Sequence, residues 1–181
     1  MIINICLIVV IIITGIILAS YNHFVRTNNR VNQSASAIDV LLNQRFDLLP
    51  NLIECVKGYS KHESETLEEL VKLRSSYNKD GFSINETEKL DKKFGSIMAI
   101  AESYPDLKAN QNFLDLQSNL KEIENKLNNA RMDYNNAVTS YNNLVETIPS
   151  NVVAKMFNFE RKELFKLDDN KRENIKVDFS Q

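Results

Sequence analysis

Apolar residues recur at alternating intervals of three and four in residues 113–148, FLDLQSNLKEIENKLNNARMDYNNAVTSYNNLVETI. The recurring positions are Phe113, Leu116, Leu120, Ile123, Leu127, Ala130, Tyr134, Ala137, Tyr141, Leu144 and Ile148. Such spacing puts the apolar side chains on one face of a helix. Sustained over about five heptads, it is typical of a long helix that packs against partner helices. The segment therefore predicts a helical bundle.

An internal repeat lies within this long helix. NNARMDY at 128–134 is followed by NNAVTSY at 135–141 and NNL at 142–144. If the tyrosines of the repeat occupy the apolar seam, the paired asparagines fall on the outward side of the helix. We expect Tyr134 and Tyr141 to be buried and Asn135 and Asn142 to be exposed, since a solvated face is more common than a polar recognition stripe.

A second apolar pattern precedes the first and runs through Pro50. Its positions are Phe24, Asn28, Val31, Ala35, Ile38, Leu42, Arg45, Leu49, Leu52, Val56 and Tyr59. Proline kinks or ends a helix, but the apolar phase continues without a shift. The pattern favours a kinked helix that ends near Gly58, and a helical hairpin at Pro50 is the alternative.

Further helices are predicted over 65–78, 86–103 and 106–147. With the helix over 22–58 they measure about 21, 27, 63 and 55 Å at about 1.5 Å per residue. Run alternately away from and towards one end, they bring the chain back near its start. The predicted fold class is all-α, with an N-terminal transmembrane helix followed by an antiparallel up-and-down four-helix bundle over 21–148.

Composition supports this fold class and narrows the functions. The 181 residues include no Trp and only 4 Gly and 3 Pro. Glycine and proline are too few for the many turns of a β-sandwich or for a Gly-rich phosphate loop. The 22 basic and 24 acidic residues give a net charge of -2, so no basic excess is available for a nucleic-acid backbone. Cys6 and Cys55 match neither a disulfide framework nor a metal-ligand spacing.

Residues 1–20 have the composition of a membrane anchor. Residues 5–19 read ICLIVVIIITGIILA, and no charged side chain precedes Arg26. A helix over residues 2–22 would be about 30 Å long, enough to cross the hydrocarbon core. The run lacks a basic residue before it and a small-x-small cleavage site after it, so we expect an uncleaved anchor. Because basic flanks are retained on the cytoplasmic side, Arg26 and Arg30 predict a cytoplasmic body and an N-terminus on the opposite side of the membrane.

The C-terminal segment 149–181 combines apolar and basic side chains and is expected to pack in part, with a flexible end. Its apolar residues are Val152, Val153, Met156, Phe157, Phe159, Leu164 and Phe165. Its basic residues include Lys155, Arg161, Lys162 and Lys166. Six residues of this segment are candidates for a membrane interface: Lys155, Phe157, Phe159, Arg161, Lys162 and Lys166. The alternative is that the phenylalanines cap the bundle core.

Residues that could carry chemistry are few. His62 and Glu63 form the nearest thing to an active-site pair, but no second histidine follows at helical spacing. Further carboxylates are Asp39, Asp47 and Glu54, and acid groups on bundle helices usually serve solubility or ion pairs. We expect no catalytic residue, no cofactor and no bound metal.

Three blocks of the sequence resemble the LemA family. The first comprises DVLL at 39–42, RFDLLPNLIE at 45–54, VKGY at 56–59 and then His62-Glu63; the second is YPDLKANQNF at 104–113. The third comprises Glu124, Ala130-Arg131, Tyr134-Asn135, Tyr141-Asn142 and Pro149-Ser150-Asn151. Ser36 departs from the pattern, because relatives often carry Trp there. The resemblance implies a single-pass protein of the bacterial plasma (inner) membrane with a cytoplasmic helical bundle, and it implies no defined reaction.

Two function hypotheses follow. The first is a non-enzymatic, membrane-anchored interaction or scaffold module whose partners are the membrane and another envelope protein. The alternative is an enzyme, or a metal-dependent activity, that uses a cluster of carboxylates with His62. The sequence leaves homo-oligomerisation open.

Overall fold

The structure is a computed structural model that describes residues 1–57, 68, 71–72, 74–75, 77, 83–102 and 104–165. Its described part is helical and contains no strand, which confirms the all-α prediction. The bounded helices are α1 (Ile2–Asp47), α2 (Leu49–Lys57), α3 (Ile84–Glu102), α4 (Pro105–Lys108), α5 (Gln111–Glu146) and α6 (Ser150–Met156). Residues 68, 71–72, 74–75 and 77 are helical as well. Gly58, His62 and Glu63 lie outside the described residues.

Pro50 marks a kink between α1 and α2. Leu48 separates the two helices and keeps right-handed helical angles, with φ -82° and ψ -13°. Pro50 is then the second residue of α2, where a helix has no use for the missing N–H. Phe46, Leu49 and Leu52 are all buried, so the apolar face continues across the break. The kinked helix is confirmed.

The two long helices α1 and α5 pack along each other and form the spine of the molecule. The buried residues of α1 include Phe24, Val31, Ile38 and Leu42. Buried residues of α5 are Phe113, Leu116, Leu120, Leu127, Tyr134, Ala137, Val138, Tyr141 and Asn142. The predicted seam is therefore confirmed up to Leu144, which is half-buried against the core. Its last position is wrong: Ile148 lies beyond the end of α5 and is 85% exposed.

The helix interruptions on both sides of α4 follow from local chemistry. Pro105 begins α4 at a position that tolerates proline, after Tyr104 in an extended conformation. Asn110 then caps α5, because its side-chain oxygen accepts hydrogen bonds from the N–H groups of Asn112 and Phe113. The predicted single helix over 106–147 is thus a one-turn helix followed by a newly capped long one.

In the described residues, four helical segments form the half of the bundle that lies farther from the N-terminal span: α1 with α2, α3, α5 and the helical residues among 68–77. There α3 contributes Leu90, Phe94 and Ile97 to the core, and Tyr77 packs against Phe46 with ring centroids 5.5 Å apart. At the other end, the described residues that pack on α1 and α5 belong to α6 and to the segment 159–165. Their core members are Val153, Ala154 and Phe165, with Phe159 half-buried.

A cluster of charged side chains lies inside the four-helix half. Arg45, only 7% exposed, bonds Asp91 at 2.8 Å and lies 3.1 Å from Glu124. Arg131 bonds the other oxygen of Asp91 at 2.7 Å. The Arg45 guanidinium also lies 4.1 Å from the centre of the Phe94 ring, a cation–π distance. Through this cluster α1, α3 and α5 share one set of hydrogen bonds.

Burial and charge act on Asp91 in opposite directions. Desolvation raises the pKa of this carboxyl above its usual value, while Arg131 and Arg45 pull the pKa down. Removal of one arginine would leave a half-buried carboxylate with less compensation, and breaking a buried pair in this way is costly.

We predict that Arg45→Met lowers the free energy of unfolding by about 3 kcal/mol, because Asp91 and Glu124 lose a buried partner. Arg74→Met is the matched control, since Arg74 pairs with Asp47 at 3.4 Å on the surface. That change should cost less than about 1 kcal/mol, as exposed ion pairs do. Denaturant unfolding of the detergent-solubilised full chain measures both, and equal costs would contradict the prediction.

Candidate functional site

The chain reverses direction directly after α6. Phe157 caps this helix, and Asn158 takes a left-handed conformation with φ 55°. The Phe159 N–H then donates to the Ala154 carbonyl at 2.9 Å, which is the pattern of a Schellman motif. Asparagine is among the residues that tolerate this conformation best. The turn directs Phe159 back onto the bundle.

An aromatic collar surrounds the point where α1 passes from the apolar span into the bundle. The collar consists of Tyr21, Phe24, Tyr141, Phe157 and Phe159. Phe159 stacks on Phe24 with ring centroids 4.6 Å apart and planes 14° apart. Tyr21 contacts Phe157 at 4.8 Å, and Tyr141 meets Phe24 edge-on at 5.9 Å. The collar therefore joins α1, α5 and the C-terminal segment at one level.

Residues 160–165, which we name the strap, leave the collar and run along α5 without forming a helix. The side-chain amide of Asn142 accepts from the Lys162 N–H at 2.9 Å and donates to the carbonyl of the same residue at 3.0 Å. Asn135 holds Phe165 in the same way, at 2.9 and 3.0 Å. Each asparagine thus satisfies both main-chain groups of one strap residue, as a neighbouring strand would.

The two clamps match in spacing. Asn135 and Asn142 are seven residues apart on a helix, a distance of about 10.5 Å at about 1.5 Å per residue. Lys162 and Phe165 are three residues apart on an extended chain, or about 10 Å at about 3.3 Å per residue. The seven-residue repeat of α5 therefore presents amide groups at the spacing that an extended peptide requires.

Side chains add to the clamps. The Phe165 ring packs edge-on against Tyr134 at 5.4 Å, with the Arg131 guanidinium 5.5 Å from its centre. The Tyr134 hydroxyl donates to the Glu163 carbonyl at 3.3 Å. Burial, with a smaller effect of the Glu163 charge, raises the pKa of Tyr134, so its hydroxyl keeps the proton that it donates. Burial also raises the pKa of Tyr141, beside which the Lys162 ammonium lies 5.5 Å from the ring centre.

The predicted exposure of Asn135 and Asn142 is wrong. Asn142 is only 6% exposed and Asn135 is half-buried, because the strap covers both. The predicted burial of Tyr134 and Tyr141 is confirmed, at 6% and 3% exposed. The signal for the clamp was the repeat itself, which sets asparagine directly after each seam tyrosine. Its partner lies 20 to 30 residues away, beyond the reach of local pattern analysis.

The six predicted interface residues lie in different surroundings. Lys155 is exposed on α6, and Phe157 is 45% exposed at the outer edge of the collar. Phe159 packs into the collar, Arg161 pairs with Glu146 at 2.9 Å, and Lys162 is held by Asn142. Lys166 lies outside the described residues. Three more apolar side chains are exposed at this end: Ile148 (85%), Val152 (57%) and Met156 (58%).

The carboxylates considered for chemistry are dispersed. Asp39 accepts a hydrogen bond from the Tyr77 hydroxyl, and Asp47 pairs with Arg74. Glu54 borders an open polar groove between α2 and the start of α5. Within the described ranges, no group of three or more His, Cys, Asp or Glu side chains is placed to hold a metal ion.

Comparison with known proteins identifies the family. The model of the LemA family matches residues 34–179, most of the chain. The protein belongs to the LemA family. A curated relative, Protein LemA of Metamycoplasma hominis, is 25% identical over 105 residues, which are 55% of this chain and 47% of the relative. The chain thus matches about half the length of that relative.

The LemA blocks coincide with the structural devices described above. The first block contains the kink at Pro50 and Arg45 of the charged cluster. The second contains Pro105 at the start of α4 and the cap Asn110. The third contains both clamps, at Asn135 and Asn142. The residues that carry the family resemblance therefore build the fold and hold the strap.

We predict that Asn142→Ala lowers the free energy of unfolding by about 2 kcal/mol, because the part-buried N–H and carbonyl of Lys162 lose their partners. The neighbouring Asn143→Ala, at an exposed position of the same pair, should change it by less than about 0.5 kcal/mol. Amide exchange adds a local measurement: Lys162 should lose protection in Asn142→Ala and keep it in Asn143→Ala. Equal behaviour of the two variants would refute the clamp.

Proposed function

We propose that this LemA-family protein is a non-catalytic, membrane-anchored interaction module of the bacterial cell envelope, and that α6 rests on the membrane surface. The observation that carries the proposal is that the apolar span of α1 and the end of the bundle packed against α1 overlap along the axis of this helix. One uninterrupted helix contains both, so the body is attached to the span without a flexible linker.

The overlap follows from helix length. Residues 2–16 are all exposed and mostly apolar, and they would cover only about 22 Å at about 1.5 Å per residue. A hydrocarbon core of about 30 Å needs about 20 residues, so a crossing extends to about Tyr21. Ile17 already packs against the bundle core, and Tyr21 contacts Phe157. A helix that crosses the bilayer therefore brings the end of α6 to the headgroup level.

The outer surface of α6 suits that location. Val152, Met156 and Phe157 are exposed, while Val153 and Ala154 of the same helix are buried. Lys155 is exposed beside them and can contact anionic headgroups, an interaction of about 1 kcal/mol per basic residue. Apolar side chains bordered by a cation are typical of interfacial helices. The half of the C-terminal segment that faces outward is thus assigned to lipid, and the half that faces inward caps the core.

The polar groups of the body support an interaction role over catalysis. Asp91 is engaged by two arginines, and Asp39 and Asp47 each have a partner on another part of the bundle. Asn135 and Asn142 hold the strap. These groups maintain the shape of the body, whose exposed surface then remains for a partner in the envelope. Crosslinking in native membranes tests this role, and stoichiometric metal in the purified full chain would contradict the non-catalytic assignment.

We predict a cytoplasmic body, because Arg26 and Arg30 follow the span and basic flanks are retained on the cytoplasmic side. A reporter that works only inside the cell should therefore be active when it is fused after Gln181. The mature chain should retain residues 1–20. Protease access to the body from outside intact cells would contradict this orientation.

We also predict that α6 contacts lipid. In the full chain with Cys6 and Cys55 replaced by Ala, Met156→Cys and Met132→Cys carry an environment-sensitive fluorophore; both methionines are 58% exposed. In anionic nanodiscs the emission of the probe at position 156 should shift to the blue relative to the same fluorophore in detergent-free aqueous solution. The probe at 132, about 14 Å farther along α5 from the collar residue Tyr141, should not shift. An unshifted probe at 156 would refute membrane contact by α6.

A further inference from the structure

The strap and the surface that holds it come from different parts of the sequence. Its hydrogen bonds to Asn135, Asn142 and Tyr134 join residues 20 to 30 positions apart in the chain. The surface therefore holds an extended segment, which in this structure belongs to the same chain.

This site recognises two features of a peptide. The asparagine clamps bind main-chain groups and so accept any residue except proline at the clamped positions, since proline lacks the N–H. Selectivity comes from the side chains: Phe165 contacts Tyr134 and Arg131, and Lys162 contacts Tyr141. The preferred ligand is an extended segment with a cation followed, three residues later, by an aromatic ring.

We propose that the site also binds the strap of a second copy of this chain, so that two neighbouring molecules in one membrane exchange straps. The segment that fits is residues 160–165, and every neighbouring copy carries it. The proposal rests on the membrane anchoring proposed above. Anchored copies share one orientation and can be related by a two-fold axis along the membrane normal. Such an axis keeps each strap at the same distance from the membrane as the clamps of its neighbour. Lys162 and Phe165 of one copy therefore lie level with Asn142 and Asn135 of the other.

A single residue controls the direction of the strap. Asn158 sets the reversal after α6 through its φ of 55°, and the Phe159 N–H to Ala154 bond depends on that turn. Proline is confined to φ near -65° and cannot form the reversal, whereas glycine forms it readily. Changes in a hinge of this kind are a known route to exchange of identical elements between protomers.

The test uses two tagged full-length chains, each with Cys6 and Cys55 replaced by Ala, co-expressed in one membrane. One chain carries Glu146→Cys and the other Arg161→Cys, the positions whose native side chains form a 2.9 Å ion pair. A short bismaleimide should then give a covalent heterodimer. The control pair combines Arg161→Cys with Asp133→Cys, an exposed position about 20 Å along α5 from Glu146. Its heterodimer yield should be several-fold lower.

Further variants sharpen the outcome. Asn142→Ala in the chain that carries Glu146→Cys should reduce the heterodimer several-fold, and Asn143→Ala should leave it unchanged. Asn158→Pro should raise the yield and Asn158→Gly should not. A chain that carries both cysteines reports occupancy by its own strap as a crosslinked monomer.

Two results would overturn the exchange: a crosslinked monomer without any heterodimer, or equal yields from the test and control pairs. The fluorophore at position 156 separates this result from the proposed function. A blue-shifted probe in a sample without heterodimer rejects strap exchange alone, and membrane contact by α6 stands.

Discussion

The structure depends on a mismatch in helix length. The part of α1 and α2 beyond the collar and the 36 residues of α5 each extend about 54 Å, whereas the 19 residues of α3 extend about 28 Å. With that length, α3 cannot cover the whole α1–α5 pair. Without another element, Phe24, Tyr134 and Tyr141 would face water at the end nearest the apolar span. The C-terminal segment covers them, with α6 and the strap in place of further helices.

An extended strap in such a position must satisfy its main-chain groups, because buried N–H and carbonyl groups without partners are costly. In a sheet the partners would come from a second strand. Here the amides of Asn135 and Asn142 supply them, since seven helical residues and three extended residues span nearly the same distance. This equality allows a helix to act as the neighbour of a strand-like segment.

The two halves of the body are stabilised by different interactions. In the half farther from the span, apolar residues of four helices surround the charged cluster of Arg45, Asp91, Glu124 and Arg131. In the half nearer the span, the collar and the clamps attach the C-terminal segment to α1 and α5. Because α1 is continuous, the position of α6 relative to the span follows directly from the packing of the collar. The same segment therefore completes the core and sets the exposed face of α6 beside the apolar span.

The sequence by itself determined the helices, their phase and the apolar span, because these depend on neighbours three, four or seven residues apart. The seam of α5, the kink at Pro50 and the break at Pro105 could all be predicted on that basis. Only the tertiary structure decided the roles of Asn135, Asn142, Phe159 and Arg45. Their partners are 20 to 135 residues away in the chain. From local sequence alone, a polar side chain on a helix is predicted to be exposed, because the segment that covers it is distant in the sequence. Such contacts depend on which part of the core the packed helices leave uncovered, and local periodicity does not contain this information.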